Sequence, residues 1–286
     1  MLTHTSQLTT EQLAELEALC ADCKHTDGNI ISLYNHILSQ NRSIACNVFY
    51  HQKNQLVGFL STFFFYEDAC EVAVLVAPTY RKQGIARQMI KANLPLIAAQ
   101  GIKTLIFSSP NGLNTPWLPA QGFSYEHSEY QMQRRSIDPI LSGNHSLMVR
   151  AAILADIPAF CTIDEACFSS PQPDMDRRVH HLLNDPEYKL FVAEIDGIPV
   201  GKAHIHCQKE GARFTDIAIL PHLQGRGFGS ELLAHCINYC RAIHLEKISL
   251  DVETNNQHAL NLYLRLGFAV INSCDFWTIP LQSLQL

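Results

Sequence analysis

The sequence predicts a mixed α/β protein built from two tandem copies of one fold, and three observations carry that prediction. The 286 residues are long for one hydrophobic core and comfortable for two domains. Hydrophobic residues make up 47% and charged residues 17%, so there is apolar material for packed cores and no signature of disorder. The third observation is an internal repeat, which is to be sought before any local reading. Val76-Ala77-Pro78-Thr79-Tyr80-Arg81-Lys82-Gln83-Gly84-Ile85-Ala86 resembles Ile219-Leu220-Pro221-His222-Leu223-Gln224-Gly225-Arg226-Gly227-Phe228-Gly229. Pro78 falls on Pro221, Arg81 on Gln224, Gly84 on Gly227 and Ala86 on Gly229 at one constant offset. The same offset lays Leu56-Val57-Gly58 over Pro199-Val200-Gly201, and Gly122-Phe123 meets Gly267-Phe268 with a small slip.

The repeat implies a domain at 1–135, a linker at 136–145 and a second domain at 146–286. The linker segment is rich in turn formers and holds Pro139 and Gly143. After it, Leu147-Met148-Val149-Arg150 restarts a strand pattern. Asp156-Ile157-Pro158 then reads as a helix start, with Asp156 as cap and Pro158 in the first turn. Each half has the same order. Helices come first (10–20 and 30–39; 157–167 and 177–183). Strands follow (44–51, 56–66 and 71–76; 190–195, 200–206 and 213–219). A glycine-containing turn then opens a long helix (85–99; 228–243), and another strand follows (104–107; 247–252). Only the second half shows a clear further helix, at 258–266.

The formal net charge of -6 argues against general affinity for nucleic acid or an anionic membrane. No apolar run approaches the roughly 18 residues needed to span a bilayer, and Met1-Leu2-Thr3-His4 lacks the layout of a signal peptide. The expectation is a soluble, cytoplasmic monomer or homodimer with neither nucleic acid nor membrane as partner. The 10 cysteines are scattered through apolar stretches. Cys20 and Cys23 have no second pair to complete a zinc pattern, and Cys236 and Cys240 read as one stripe of a helix, so buried thiols are expected. His204 and His206 share a strand face without a third ligand, and no metal is expected.

The turn at 224–229 follows an apolar strand and opens a helix whose inner stripe is Leu232, Leu233, Cys236, Ile237 and Cys240. Gly225, Gly227 and Gly229 let the backbone approach a ligand closely. The first helical amides lack intrahelical acceptors and the helix dipole favours negative charge there, so a pyrophosphate is a natural occupant, with Arg226 as a charged contact. The spacing fits neither the dinucleotide fingerprint nor a Walker motif. On glycines alone, an ordinary strand-to-helix turn is an equal reading. Beyond it, Ile248, Leu250 and Val252 alternate with Ser249, Asp251 and Glu253, which puts the polar three on one strand face. Asn255-Asn256 ends that strand, and Gly267-Phe268 stops the next helix.

Gln224, Gly227 and Gly229, and also Arg81, Gly84 and Ala86, resemble the phosphate-binding pattern of the GNAT acyltransferase superfamily. That pattern is Gln or Arg, two residues, Gly, one residue, then Gly or Ala. Asn256, Ala259, Leu262, Tyr263, Gly267 and Phe268 match the family's later Asn-x-x-Ala-x-x-Leu-Tyr-x-x-x-Gly-Phe motif. The tandem layout is similar to that of mycothiol synthases. The second half also resembles protein N-terminal alanine acetyltransferases, from Arg150 through Asp164-Glu165-Ala166-Cys167-Phe168 and again at Leu250-Asp251-Val252.

The resemblance implies two GNAT-type domains, each a mostly antiparallel twisted sheet flanked by helices. It also implies acetyl transfer from acetyl-CoA to a primary amine, on a small molecule or a protein N-terminus, by direct attack and without a metal. Cofactor contacts are implied at Ile217, Ala218, Ile219, Gln224, Gly225, Arg226, Gly227, Phe228, Gly229, Ser230, Asn256 and Tyr263. Amides near Ala218 polarise the thioester carbonyl, as an oxyanion site does. Asp251 is the first choice of base, with Glu253 or Asp216 as alternatives, directly or through water. Tyr263 is suited to protonate the departing thiolate. Asp216, a charge between apolar residues, is also a candidate to shape substrate binding.

The first half is expected to be non-catalytic. Leu118 stands where the second half has Tyr263, and 105–109 carries no carboxylate. The competing class is a non-catalytic acyl-CoA sensor or interaction module, which has no need of Tyr263, Asn256 and Asp251 together.

Overall fold

The computed structural model describes residues 1–136, 138–141, 147–168, 174–209 and 211–285. Half of the expected linker, residues 137 and 142–145, lies outside them. The strands are β1 (Leu2–Thr5), β2 (Asn47–Gln52), β3 (Gln55–Phe63), β4 (Ala69–Val76), β5 (Thr104–Pro110), β6 (Ser124–Arg134), β7 (Met148–Ala151), β8 (Tyr188–Ile195), β9 (Ile198–Gln208), β10 (Gly211–Ile219), β11 (Ile248–Glu253) and β12 (Ala269–Pro280). The helices are α1 (Thr10–Asp27), α2 (Asn35–Leu38), α3 (Ile85–Ala99), α4 (Trp117–Ala120), α5 (Ile157–Cys167), α6 (Met175–Asn184), α7 (Phe228–Ala242) and α8 (Gln257–Arg265).

Two compact units result, one of residues 1–130 and 272–286 and one of residues 131–271. In the first, strands run in the order β1-β2-β3-β4-β5-β12-β6. There β1 with β2, β2 with β3, β3 with β4 and β5 with β12 pair antiparallel, and β4 with β5 pairs parallel. In the second, β11-β10-β9-β8-β7 is antiparallel except for β10 with β11. The two parallel pairs carry α3 and α7 as their crossovers, since parallel neighbours cannot be joined by a tight turn.

Local chemistry explains the repeated hairpins. Lys53 and Asn54 turn β2 into β3 with φ of 49° and 62°, and Asp196 and Gly197 turn β8 into β9 with φ of 53° and 78°. Positive φ at both central residues matches the right-handed twist of the flanking strands. β3 is buried along almost its whole length, as its run of apolar residues requires of a strand covered on both faces. Phe49 packs edge-on against Phe59, with ring centroids 5.1 Å apart, above Leu16 and Leu19 of α1. In the second unit Leu232, Leu233, Cys236, Ile237 and Cys240 are all buried, as the helical period predicts. Each such side chain contributes about 1.5–3 kcal/mol by leaving water.

Three expectations meet a different structure. The helix expected over 30–39 is the single turn α2, and α1 instead continues to Asp27, where Gly28 at φ 77° ends it. Asp156 does not cap α5 with its side chain. A short 3₁₀ turn precedes the helix, so the carboxylate turns back to accept from the Ile153 amide at 2.7 Å and from Arg150 at 2.8 Å. Residues 272–286, expected to lie in a domain of residues 146–286, belong to the first unit, where β12, a strand the sequence reading did not name, pairs with β5 from Cys274↔Pro110 to Pro280↔Thr104. Buried Asp275 fixes it there, accepting from Asn111 Nδ2 at 2.6 Å, the Gly112 amide at 2.8 Å and Ser128 Oγ at 2.6 Å.

All ten cysteines are free. Cys23, Cys46, Cys70, Cys236, Cys240 and Cys274 are buried and the others half-buried. Burial pushes the Cys240 thiol up to about 12. Among the described residues no helix is long and apolar enough to cross a membrane.

Candidate active site

The parallel ladder of β10 and β11 is short. It comprises Ala212↔Ile248 and Arg213↔Ser249, after which the strands part. Parted parallel strands leave backbone groups free at their carboxyl ends, where α/β folds bind ligands. β10 also carries a bulge against β9. Thr215 pairs His204 and Ala218 pairs Lys202, so Asp216 and Ile217 together stand opposite Ala203. Asp216 adopts φ 50° in that bulge. The extra residue breaks the ladder and re-aims the side chain.

The turn that follows is open to solvent at Gln224, Gly225, Arg226 and Gly227. Gly227, at φ 90°, caps α7 with no side-chain hydrogen bond. The first amides of α7 therefore keep their donors for an outside acceptor, with the helix dipole behind them. A side chain at Gly227 would meet the left-handed penalty of about 1–2 kcal/mol. The Gln224 side chain is engaged by the protein itself, its Nε2 donating to the Ile219 carbonyl at 2.8 Å. Ser230 uses its amide on the Gly227 carbonyl at 3.0 Å, and the Phe228 side chain is buried. Arg226 is exposed and donates to the His222 carbonyl at 3.4 Å.

α8 lies against this turn. A Cβ built on Gly229 would sit 3.3 Å from Leu262 Cδ2, and Tyr263 is the next residue of the same helix. Tyr263 is buried beside Phe268, ring centroids 5.9 Å apart, and burial pushes its phenol up to about 12. The hydroxyl thus stays protonated at neutral pH and is available as a donor. Asn256 is the N-cap of α8, its Oδ1 accepting from the Ala259 amide at 3.1 Å, which leaves its amide group for other contacts.

The carboxylates separate into three environments. Asp251 is ion-paired with Arg213 across the parted strands. Glu253 is exposed at the end of β11. Asp216 approaches His204 Nδ1 at 3.3 Å and Arg178 Nη2 at 3.4 Å. Burial alone would raise its carboxyl. The contact with His204 and the cations of Arg178 and Lys202 outweigh that and hold it below the usual carboxylate range. Sequence reasoning missed Arg213, Arg178 and the buried Lys202–Asp164 pair at 2.5 Å, and treated His204 only as a possible metal ligand. The period-2 pattern of β9 held the signal, since Lys202, His204 and His206 share one face. Among the described residues no cluster of three or more His, Cys, Asp or Glu could hold a metal ion.

The first unit repeats part of this. Gly84 caps α3 at φ 78°, and Arg81 Nε donates to the Val76 carbonyl at 3.1 Å, as Gln224 does to Ile219. Cys23 and Cys167 donate to those same two carbonyls, at 3.6 and 3.5 Å. A cavity of about 670 Å³ opens there, lined by Arg81, Gly84, Ala86, Ser108 and Trp117 among others. Yet β3 and β4 pair without a bulge from Phe63↔Glu71 to Gly58↔Val76, and Leu118 is buried where the second unit has Tyr263. Arg81 is also engaged by Asp27 through both guanidinium ends, at 2.7 and 2.6 Å.

Parted parallel strands that open onto a helix N-terminus with free amides form a cleft of the kind a phosphate-bearing acyl donor would need, which points to the acyltransferase class. The chain belongs to the Acetyltransferase (GNAT) family, whose profile matches residues 10–116 and 157–268, one stretch in each half. That family uses acetyl-CoA as co-substrate. A Bacillus subtilis protein provisionally named as a ribosomal protein bS18-alanine N-acetyltransferase is 32% identical over 119 residues, 42% of this chain and 78% of that one. The mycothiol acetyltransferase of Mycobacteroides abscessus is 28% identical over 220 residues, 71% of this chain and 73% of its own. Two solved structures share the whole fold. One is a GCN5-related N-acetyltransferase from Sphaerobacter thermophilus, with TM-score 0.78 and 14% identity over 98% of this chain and 96% of that one. The other is a tandem GNAT protein from the clavulanic acid biosynthesis pathway, with TM-score 0.71 and 13% identity over 98% of both chains.

Proposed function

We propose that the second unit transfers the acetyl group of acetyl-CoA to a primary amine, on a protein N-terminus or a small molecule, by direct attack, while the first unit does not turn over. The observation that carries this reading is the bulge at Asp216 and Ile217 where β10 leaves β11, together with its absence from the equivalent strand of the first unit.

In this reading the α7 amides hold the pyrophosphate, and the amides of Ile217, Ala218 and Ile219 face the pantetheine arm and the thioester carbonyl. The neutral amine attacks the carbonyl carbon. A C–N bond forms and the C–S bond breaks. The amine's proton passes to a carboxylate, Asp251 first and through water where its reach is short, and Tyr263 supplies a proton to the departing thiolate. Arg213, ion-paired with Asp251, orients its carboxylate for that role. The names of the two relatives, one a protein alanine acetyltransferase and one a mycothiol acetyltransferase, support both acceptor classes.

The test is calorimetric titration of acetyl-CoA into the full chain, followed by assay of acetyl transfer to a short peptide with a free N-terminal alanine and to a panel of small primary amines. Binding with turnover that Tyr263→Phe abolishes is the expected result. Binding without turnover on any amine would make the protein an acyl-CoA-binding module instead, and no binding would overturn the reading.

A further inference from the structure

In the first unit, the segment between α2 and β2 carries an arginine that the fold pins in place without a counter-ion. Arg42 donates from Nη1 to the Thr62 carbonyl at 2.9 Å, and from Nη2 to Asn47 Oδ1 and to Ser61 Oγ, the latter at 3.3 Å. Ser61 Oγ in turn donates to Asn47 Oδ1 at 2.8 Å, and Asn47 Nδ2 to the Thr5 carbonyl at 3.1 Å. Asn47 and Ser61 are fully buried. Each of these acceptors is neutral. Among the described residues no carboxylate forms an ion pair with Arg42, and its buried Nε–H has no acceptor. Burial works against the guanidinium charge, which the side chain nevertheless keeps.

Arg42 lines a cavity of about 480 Å³ whose walls are mostly apolar, among them Ile37, Ile44, Phe63, Phe65 and Ile102. The guanidinium carbon stands 5.5 Å from the centroid of the Phe63 ring, and Phe63 stacks on Phe65 at 5.8 Å with planes 10° from parallel. Glu67, the one carboxylate among the described residues that line the cavity, is exposed and screened by water. A fixed positive charge beside an aromatic wall, in a volume of the size that holds small ligands, is complementary to an anion with an apolar body. The repeat shows that the fold itself does not require the arrangement. At its constant offset Arg42 falls on Asp185, Asn47 on Leu190 and Ser61 on His204. The strand pairing Asn47↔Ser61 recurs as Leu190↔His204, so an apolar side chain serves at the asparagine's place in the second unit.

We propose that this cavity is a binding site for a small monocarboxylate with an aromatic or branched apolar body, its carboxylate on Arg42 and its body against Phe63 and Phe65. The guanidinium has five N–H donors and makes three contacts, which leaves donors for the ligand. One cation matches one carboxylate, and a second negative charge would meet Glu67. The site lies in the unit to which no turnover is assigned and does not depend on the acetyl-transfer reading.

The probe is phenylbutyrate, titrated calorimetrically into the full chain and followed by proton–nitrogen correlation NMR, with phenylbutanamide as the neutral control. The expected result is binding of the acid with shifts centred on residues 37–46, 63–67 and 100–102. The acid should bind about tenfold or more tightly than the amide, the weight of a charge-assisted hydrogen bond. Arg42→Gln should remove that preference and leave the two within about twofold of each other. Phe65→Ala changes a side chain that is 40% exposed and should weaken acid and amide alike, by about three- to tenfold. If the NMR spectrum of Arg42→Gln shows a lost fold, the acid-to-amide ratio of the wild type and the Phe65→Ala titrations decide the matter. Equal affinity for acid and amide, a preference that survives in folded Arg42→Gln, shifts centred elsewhere, or no binding at millimolar probe would each overturn the proposal.

Discussion

Gln224 Nε2 donates to the carbonyl of Ile219 at 2.8 Å and so ties the anion-binding turn to the end of the strand that precedes it. Arg81 makes the same closure onto Val76 in the first unit. The side chain shapes the turn instead of reaching for the phosphate. Gln224→Ala should then weaken acetyl-CoA binding about three- to tenfold, the worth of one neutral hydrogen bond. Gly227→Ala adds left-handed strain at the cap and should weaken it further. Calorimetric titration of the two variants against the wild type checks both, and an unchanged dissociation constant in Gln224→Ala would contradict the bracing role.

Tyr263 supplies the clearest separation of binding from chemistry. Its ring is buried against Phe268 and its hydroxyl stays protonated. Tyr263→Phe keeps the packing and removes only the proton donor. The expected outcome is acetyl-CoA affinity within about threefold of wild type and kcat lower by roughly 10²-fold or more, the usual weight of a positioned general acid. Titration and steady-state assay of the same preparation measure the two quantities.

What the sequence revealed and what it hid divide along physical lines. α5 and α3 fall on their expected bounds, 157–167 and 85–99, because apolar periodicity and a start signal agree there. The glycine turn was legible because backbone freedom leaves a residue-type signature. The bulge at Asp216 was not, since one extra residue leaves the alternation of a strand almost intact. Nor was the partner of β12. Local sequence says nothing of the edge a strand will join, and the pairing with β5 and the Asp275 contacts reveal that residues 272–280 complete the first unit. Arg213 was passed over beside Asp251 because pairing between parallel strands depends on register, which local sequence does not encode.

Asp275 therefore has a stability role that its position near the end of the chain conceals. The buried carboxylate satisfies three donors from Asn111, Gly112 and Ser128. Asp275→Ala would leave them without their acceptor and should cost about 2–4 kcal/mol. Thermal unfolding should show a midpoint several degrees lower. A melt that superimposes on the wild type would mean the C-terminal strand is held by backbone pairing alone.

Glu71 gives the pH prediction with the sharpest sign. It lines a cavity of about 320 Å³ in the first unit with Tyr34, Tyr66, Glu126, His127 and Glu129. Burial raises its carboxyl, Glu129 adds to the rise, and the Tyr34 hydroxyl donating at 2.8 Å offsets only part of it, leaving the group at about 7 against an ordinary 4.5. An acid raised in the folded state binds more protons folded than unfolded between those two values. Stability must then fall as pH rises through that window, and the full penalty stands above it. Glu71→Gln keeps an acceptor for Tyr34 and removes the ionisation. The variant should match the wild type near pH 4.5 and exceed it by about 1–3 kcal/mol at pH 8. Urea midpoints of both proteins at the two pH values isolate this group, because other titrations such as that of buried His204 cancel in the difference. A wild-type-minus-variant gap independent of pH would show that Glu71 ionises in the folded protein as readily as in water.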